Sequence, residues 1–532
     1  MKKAAFQVLM PQYMLRFQCV GESCEDTCCA GWEVPVDRST LERYRKEEDP
    51  ELKALLLENV IEESGCCSSH GFLSSEQRGL FSFSPSALAA GVADAAGIVG
   101  SAVAAGAAGI VCTADAAGVP GAACAAGAAG APGTPGTPGA PGAPGTPGTP
   151  GTPGTAGWIN MGQKRRCPFL TSKGLCFLQL ERGEDFLSDT CYTFPRVINE
   201  VEGVLEKSAT VSCPEAARLI LLEPAPMKFV LDGKAESSGA GRTGQVKKRV
   251  EGGGFSFCLG RNGPYGRVRR LAIAVLQERR FPLEERLIFL GRVVYWLEEL
   301  LAGGNKQELE KQLDRAEGSL FLGSSFSGST REGAGSGFWG ARASFAEGFA
   351  NLASLPDARQ IQGRVLNELA GWHARREITN LRYRGCLRWF LSGLHYGPKT
   401  RPEEAAERYR ESEQGYYQSF LAAHGHIMEH YLVNYAFANL FPFDERTLFE
   451  AYVMLVLRYA VMKMQLAGIA AFHRRLLPET AVRFIQAFER TMECYPQWLR
   501  QMMDVLCVNG WDSLAGLAAL IRCDGDSLEG AA

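Results

Sequence analysis

The stretch PLEERLIFLGRVVYWLEELLAG, residues 282–303, repeats Leu283, Leu287, Leu290, Val294, Leu297 and Leu301 at three- and four-residue steps. That is the period of a helix with one apolar face. Pro282 fits a first helical position and Gly303 a C-terminal stop. The pattern returns at 478–494, where Val482, Ile485, Phe488 and Met492 make the stripe and Pro496 closes it. Leu499, Met502, Met503 and Leu506 form another, ended by Gly510. These repeats predict an all-α domain over residues 282–532 and a mainly α fold for the chain.

Working outward, the composition changes most between residues 72 and 157, where charge becomes scarce and large apolar residues nearly vanish. Residues 133–153 are seven consecutive Gly-Thr-Pro or Gly-Ala-Pro triplets, a collagen-like period. Further upstream the same register is interrupted, among other places at Cys112 and Cys124, so those two thiols read as accidents of a decayed repeat. Only glycine fits a triple-helix axis, and the segment is therefore expected to be a disordered insert in a folded module. On this reading residues 1–71 and 158–234 are the two parts of a cysteine-rich metal-binding module. Residues 235–281 are a Gly-rich loop and connector, and removal of 72–157 is expected to leave folding intact. Residues 235–254 and 323–337 read as Gly/Ser surface loops.

With 532 residues, 46% of them hydrophobic, the chain can bury a sizeable core. A formal net charge of -3, with both signs interspersed, gives no footprint for a phosphate backbone, so nucleic acid is not an expected partner. The first residues carry two lysines, but their apolar run is broken by Gln7, Pro11, Gln12 and Arg16, which does not suit a signal peptide. Residues 95–114 are long enough for a membrane span but are largely Ala and Gly, which transfer poorly into lipid, so no span is expected. A cytoplasmic location with reduced thiols is the consequent expectation.

Seventeen cysteines, an odd number, suit metal ligation better than a disulfide framework. Eight of them flank the insert. Cys19, Cys24, Cys28 and Cys29 read C-x4-C-x3-C-C, and Cys167, Cys176, Cys191 and Cys213 follow in CPFL, GLC, DTCYTFPR and SCPEAAR. Thiolates hold zinc or iron–sulfur clusters, usually four to a centre. Because Cys28 and Cys29 are adjacent, their side chains diverge, which suits two sites or spare thiols.

The segments FQCVGESCEDTCCAGW, CPFL with GLC, LSDTCYTFPR, SCPEAARL, MEHYLVNYAFANLFPF and YVMLVLRYAVMKMQL together resemble the flagellin lysine-N-methylases, the FliB family. The shorter cysteine pattern also looks like the zinc- or iron-chelating cysteine-cluster proteins. The resemblance implies methyl transfer from S-adenosylmethionine to flagellin lysines, with an iron–sulfur cluster, 4Fe-4S by preference and zinc as the alternative. Carried over position by position, the implied ligands are Cys19, Cys24, Cys28, Cys29, Cys167, Cys176, Cys191 and Cys213. The long insert departs from the family pattern.

Lysine is a poor nucleophile while protonated, and with a reference pKa near 10.4 its neutral form at pH 7 costs roughly 4–5 kcal/mol. A base or a desolvating pocket is needed. The sequence does not identify the base. Tyr431, Tyr435, Asp444 and Glu450 enter only as members of the resembling C-terminal block, and Asp444 could equally cap a helix opening at Glu445. Gly239-Ala-Gly241-Arg-Thr-Gly244 fits G-x-G-x-x-G, but in a Gly/Ser-rich stretch the match arises easily by chance. His426, Glu429 and His430 fit H-x-x-E-H, an inverted zinc-protease motif, against the plainer reading of two helix histidines. A non-enzymatic alternative is a metal-chelating or redox-sensing adaptor.

Overall fold

The computed structural model describes residues 7–31, 34–62, 155–162, 165–201, 204–232, 246–250, 264–303, 307–314, 357–375, 378–442, 447–495 and 497–522. The insert with Cys112 and Cys124, residues 95–114, the Gly239–Gly244 motif, the 323–337 loop, Asp444 and Pro496 lie outside them.

In chain order the strands are β1 Val8–Pro11, β2 Pro35–Asp37, β3 Val60–Glu62, β4 Thr155–Ile159, β5 Arg196–Val201, β6 Val204–Ala209, β7 Phe229–Asp232 and β8 Val246–Val250. The N-terminal helices are α1 Arg38–Arg45, α2 Pro50–Asn59, α3 Phe177–Arg182, α4 Asp189–Thr193 and α5 Pro214–Leu221. The long helical part opens at α6 Pro264–Leu276, ahead of the periodic stretch, and continues with α7 Leu283–Ala302, α8 Ala358–Arg375, α9 Leu381–Gly393 and α10 Pro402–Ser412. A π-helical turn, Glu413–Tyr417, leads into α11 Gln418–His424 and α12 His426–Ala438. The chain ends in α13 Leu448–His473, α14 Pro478–Cys494, α15 Gln497–Val508 and α16 Leu514–Ile521. The fold is mainly α, and the three helical stripes read from the sequence are α7, α14 and α15.

Helix boundaries follow local chemistry. Pro282 stands one residue ahead of the position expected for it, as the N-cap of α7. Gly510 has φ +67, a left-handed conformation that suits glycine after α15. The central helix α13 is mostly apolar and buried for most of its length, which fits a core helix walled by others. It is long and apolar enough to cross a membrane, yet 94% of that window is buried inside the protein. It opens at Leu448, not Glu445, and its cap is Thr447, whose hydroxyl accepts from the Glu450 N–H at 3.0 Å. Helix α9 crosses α13 where two small residues meet: a Cβ on Gly393 would lie 1.9 Å from the Gly468 carbonyl oxygen, so only glycine fits.

Two sheets hold the N-terminal half together. The larger runs β7-β1-β6-β5-β8, with β5 and β6 as an antiparallel hairpin and β1 parallel to β6. Val246–Val250, expected to be loop, is its edge strand beside β5. The smaller sheet, β2-β4-β3, is antiparallel with β4 in the middle. Strand β4 therefore stitches the chain after the insert to strands that precede it. A Cβ on Gly157 would lie 2.6 Å from the Ile61 carbonyl oxygen, which ties that position to glycine.

Since β4 begins at Thr155, inside the range read as insert, the useful deletion is shorter than the sequence suggested. Removing residues 72–153 is expected to leave helical content intact and the thermal midpoint no lower, because the entropic cost of closing a connection falls as its length falls. Extending the deletion through Gly157 cuts the middle strand and is expected to lower soluble yield. Circular dichroism and thermal melts of the two deletions decide it.

Among the described residues there are two apolar cores. A small one gathers Val34, Val36, Leu41, Tyr44, Leu56, Ile159, Phe169 and Phe186, with Cys29, Cys176 and Cys191 packed against it and Cys167 within it. The larger unites all the long helices with β1, β6 and α5.

Candidate metal centre and the helix that receives it

The two cysteine-bearing segments meet. The Cys167 N–H donates to the Cys29 carbonyl at 2.8 Å, the Gly31 N–H donates to the Arg165 carbonyl at 2.8 Å, and Ala30 and Arg166 form an antiparallel bridge. On the far side Leu170 bridges Cys176, and the Phe177 N–H donates to the Phe169 carbonyl at 2.8 Å. Cys191 sits on α4, whose first turn is capped by the Ser188 hydroxyl. Adjacent Cys28 and Cys29 hold their sulfurs 3.8 Å apart.

The eight thiols sort into two neighbourhoods. Cys28, Cys29, Cys167, Cys176 and Cys191 interact electrostatically with one another. Cys19, Cys24 and Cys213 interact with one another, with Cys24 also reaching Cys28 of the first set, and Cys213 stands at the N-cap of α5 and against the larger core. Burial pushes Cys167 and Cys213 up to about 11 and Cys191 to about 12. Within the vicinal pair, the hydrogen bond between the two thiols lowers Cys28 and raises Cys29. As donors, thiols suit a soft or borderline cation, and four of them, Cys29, Cys167, Cys176 and Cys191, lie in or against the small core. At the same time, among the described residues no three His, Cys, Asp or Glu stand grouped closely enough to hold an ion.

One face of α14 receives this module. Gln486, Glu489, Arg490, Glu493 and Cys494 follow i, i+3, i+4, i+7 and i+8, so they line one side of the helix. Gln486 donates to the Asp26 carboxylate at 3.1 Å and to the Ser212 carbonyl at 2.7 Å. Arg490 pairs with Asp26 at 3.3 Å and donates to the Ala30 carbonyl at 2.8 Å. The Cys494 thiol donates to the Gly31 carbonyl, and Glu493 accepts from the Thr210 hydroxyl at 2.6 Å. Arg382 of α9 adds a bond to the Glu25 carbonyl, and Arg218 of α5 pairs with the Glu25 carboxylate at 2.7 Å. The loop bearing Cys24, Cys28 and Cys29 is thus clamped through Glu25, Asp26, Ala30 and Gly31 onto helices of both halves.

The same face carries a polar cluster that includes Tyr431 and Tyr435. Buried Tyr431 donates to Glu489, which also pairs with Arg458 at 2.7 Å. The Arg458 guanidinium lies 4.4 Å from the Tyr435 ring centroid. Burial first, and then the Glu489 charge, hold the Tyr431 phenol protonated, so Tyr431 serves as a donor rather than a base. Glu450 opens α13, and Asp444 is outside the described residues. In the H-x-x-E-H motif, Glu429 is engaged by Arg279 and Arg286, both at 2.8 Å, and His430 Nδ1 donates to the Ile220 carbonyl at 2.8 Å. Its other ring nitrogen meets Arg279 at 3.3 Å. The motif's Glu429 and His430 are thus taken up in joining α12 to α5, to α7 and to the connector that carries Arg279.

Residues 269–520 match the FliB lysine N-methylase C-terminal domain. Over that stretch the chain is similar to the FliB lysine N-methylase family. The FliB domain takes in most of α6 and runs into α16, so α14 and the Tyr431 cluster lie inside it, while all eight flanking cysteines lie before it. Among curated proteins, the chain is 20% identical over 220 residues to the flagellar biosynthetic protein FliU of Salmonella muenchen, covering 41% of this chain and 80% of that one. It is equally similar, over the same length, to the lysine-N-methylases of Salmonella typhimurium LT2 and Salmonella choleraesuis SC-B67. In those two the match spans 34% of the relative's length. No solved structure matches.

Sequence reading missed Asp26, Arg458, Gln486, Glu489 and Arg490. The signal was present in α14: charged residues on the face of an amphipathic helix that ought to be apolar or solvated are either paired or functional.

Proposed function

We propose that this chain transfers methyl groups from S-adenosylmethionine to lysine side chains of flagellin in the cytoplasm, and carries an iron–sulfur centre on its cysteines. The observation that carries the reading is the FliB domain match, whose helix α14 also receives the cysteine loop. Cys28, Cys29, Cys167, Cys176 and Cys191 would hold the cluster, with Cys19, Cys24 and Cys213 as a second group of thiols. Such a cluster, when bound, supplies a redox-active, Lewis-acidic iron centre.

The chain's own residues have a narrower task. An incoming lysine ammonium must lose its proton, and desolvation at the site favours the neutral amine. Glu489, held by Arg458 and Tyr431, offers a fixed negative charge to orient the ammonium before that loss. The amine lone pair then attacks the methyl carbon of the sulfonium. A nitrogen–carbon bond forms, the sulfur–carbon bond breaks with its electrons returning to sulfur, and the nitrogen proton passes to solvent. Anaerobically purified protein with methyl-labelled S-adenosylmethionine is expected to label lysines of purified flagellin. Protein that loads metal yet leaves flagellin unlabelled overturns the methyltransferase reading in favour of a metal-chelating adaptor.

A further inference from the structure

A second polar cluster lies on another side of α13, away from the α14 face. Lys463, 2% exposed, donates to Glu284 at 2.9 Å and to the Ile521 carbonyl at 3.0 Å, and pairs with Glu413 at 3.2 Å. Glu284 also accepts from the Tyr459 hydroxyl. Burial alone would raise the Glu284 carboxyl, but Lys463 and Tyr459 outweigh it and hold it below the ordinary range. Among the described residues the cluster sets two carboxylates against one ammonium.

Its geometry is incomplete at one corner. Glu413 is 1% exposed; Oε1 accepts from Gln418 at 2.6 Å, whereas Oε2 has no hydrogen-bond partner among the described residues. Tyr417, fully buried, is electrostatically coupled to Lys463, Glu284 and Glu413, and its hydroxyl is likewise without a partner among the described residues. Both orphaned atoms come from one π-helical turn, a local irregularity that is uncommon and recurs at functional sites. The turn lies at the surface: Gln414, Gly415, Tyr416 and Gln418 are exposed, while Glu413 and Tyr417 point inward. A buried carboxylate oxygen and a buried hydroxyl left unmatched each keep a desolvation penalty uncompensated, so a fold that retains both has a use for them.

We propose that Glu413 Oε2 and the Tyr417 hydroxyl form a receptor for one further small monovalent cation, a metal ion or a primary ammonium. Each offers an oxygen lone pair, the surplus carboxylate supplies the countercharge, and Lys463 shows how the same cluster already holds an ammonium. The entrance is the Glu413–Tyr417 turn, where Gln418 is the exposed group hydrogen-bonded to Glu413.

Melting the full chain in NaCl, KCl or methylammonium chloride, against choline chloride at equal ionic strength, tests this. Choline matches the charge, but its fully alkylated nitrogen has no N–H to donate to either oxygen and shields its charge behind methyl groups. At a cation concentration tenfold above its dissociation constant the midpoint is expected to rise by about 1.3 °C over choline. Glu413→Gln keeps shape and a hydrogen bond to Lys463 while removing the surplus charge, and is expected to abolish the rise. Tyr417→Phe keeps the ring packing and is expected to weaken it. A response to methylammonium alone identifies an amine site, and a response to sodium or potassium a metal-ion site. Equal midpoints in all four salts, or a cation response that survives in Glu413→Gln, overturn the proposal.

Discussion

Cys191→Ser is expected to lose iron and acid-labile sulfide and to slow labelling of flagellin by at least about 100-fold, while the protein stays folded. Serine matches cysteine in shape, and Cys191 lies on the short helix α4 beside the small core, so the substitution leaves the packing of that core largely in place. What changes is donor chemistry, because a hard, protonated hydroxyl is a poor ligand where a thiolate is needed. Two controls separate ligand loss from general damage. Cys507→Ser, on α15 and outside both thiol neighbourhoods, is expected to keep its iron. Cys213→Ser reports whether the Cys19, Cys24 and Cys213 group shares the same centre: unchanged iron confines the cluster to the other five thiols. Stoichiometric zinc without iron in the parent protein replaces the cluster with a structural zinc centre. Unchanged iron and unchanged activity in Cys191→Ser removes Cys191 from the ligand set. Activity that survives without iron leaves a methyltransferase whose cysteines serve the fold alone.

The helices were legible where one rule decided them. Residues 283–302 and 478–494 carry an apolar period of 3.6 with proline at one end, and both emerged as single helices. The convergence of the cysteine segments across the insert was expected from the thiols, but its means, the strand β4 between β2 and β3, was not. A three-stranded sheet of three- and five-residue strands leaves little periodicity to read, and Thr155–Gly157 is masked by the small residues of the preceding repeat. The candidate site was half legible for a related reason. Cysteine announces itself by type and spacing, and so the thiols could be named. Asp26, Gln486 and Arg490 gain meaning only from partners more than 400 positions away, which no local pattern encodes. Tyr431 and Tyr435 were named for their place in a motif, and it is the Arg458 and Glu489 side chains of two other helices that give them a chemical setting.

Arg269→Met is expected to cost about 3–5 kcal/mol, the largest stability loss among the single substitutions considered, because it strands a carboxylate in the core. Glu206 is fully buried on β6, a strand flanked on both sides by β1 and β5, and receives both terminal nitrogens of Arg269 at 2.8 and 2.6 Å. Arg269 stands on α6 at the first residue of the FliB domain, with its guanidinium 5.5 Å from the Phe437 ring centroid on α12. This one fork therefore ties the N-terminal sheet to two helices of the matched domain. Urea unfolding is expected to show a lower midpoint with an unchanged slope, the mark of lost stability rather than altered compactness. The double variant Glu206→Leu with Arg269→Met removes both charges together. It is expected to recover most of the loss, since apolar replacements of a whole buried pair are often neutral or stabilising. If the single substitution costs under about 1 kcal/mol, the pair behaves as a hydrated surface bridge and the sheet is held to the helices by apolar contact instead. If the double variant is as unstable as the single one, the fork contributes packing that methionine and leucine do not replace, and Phe437 beneath it is the residue to vary next.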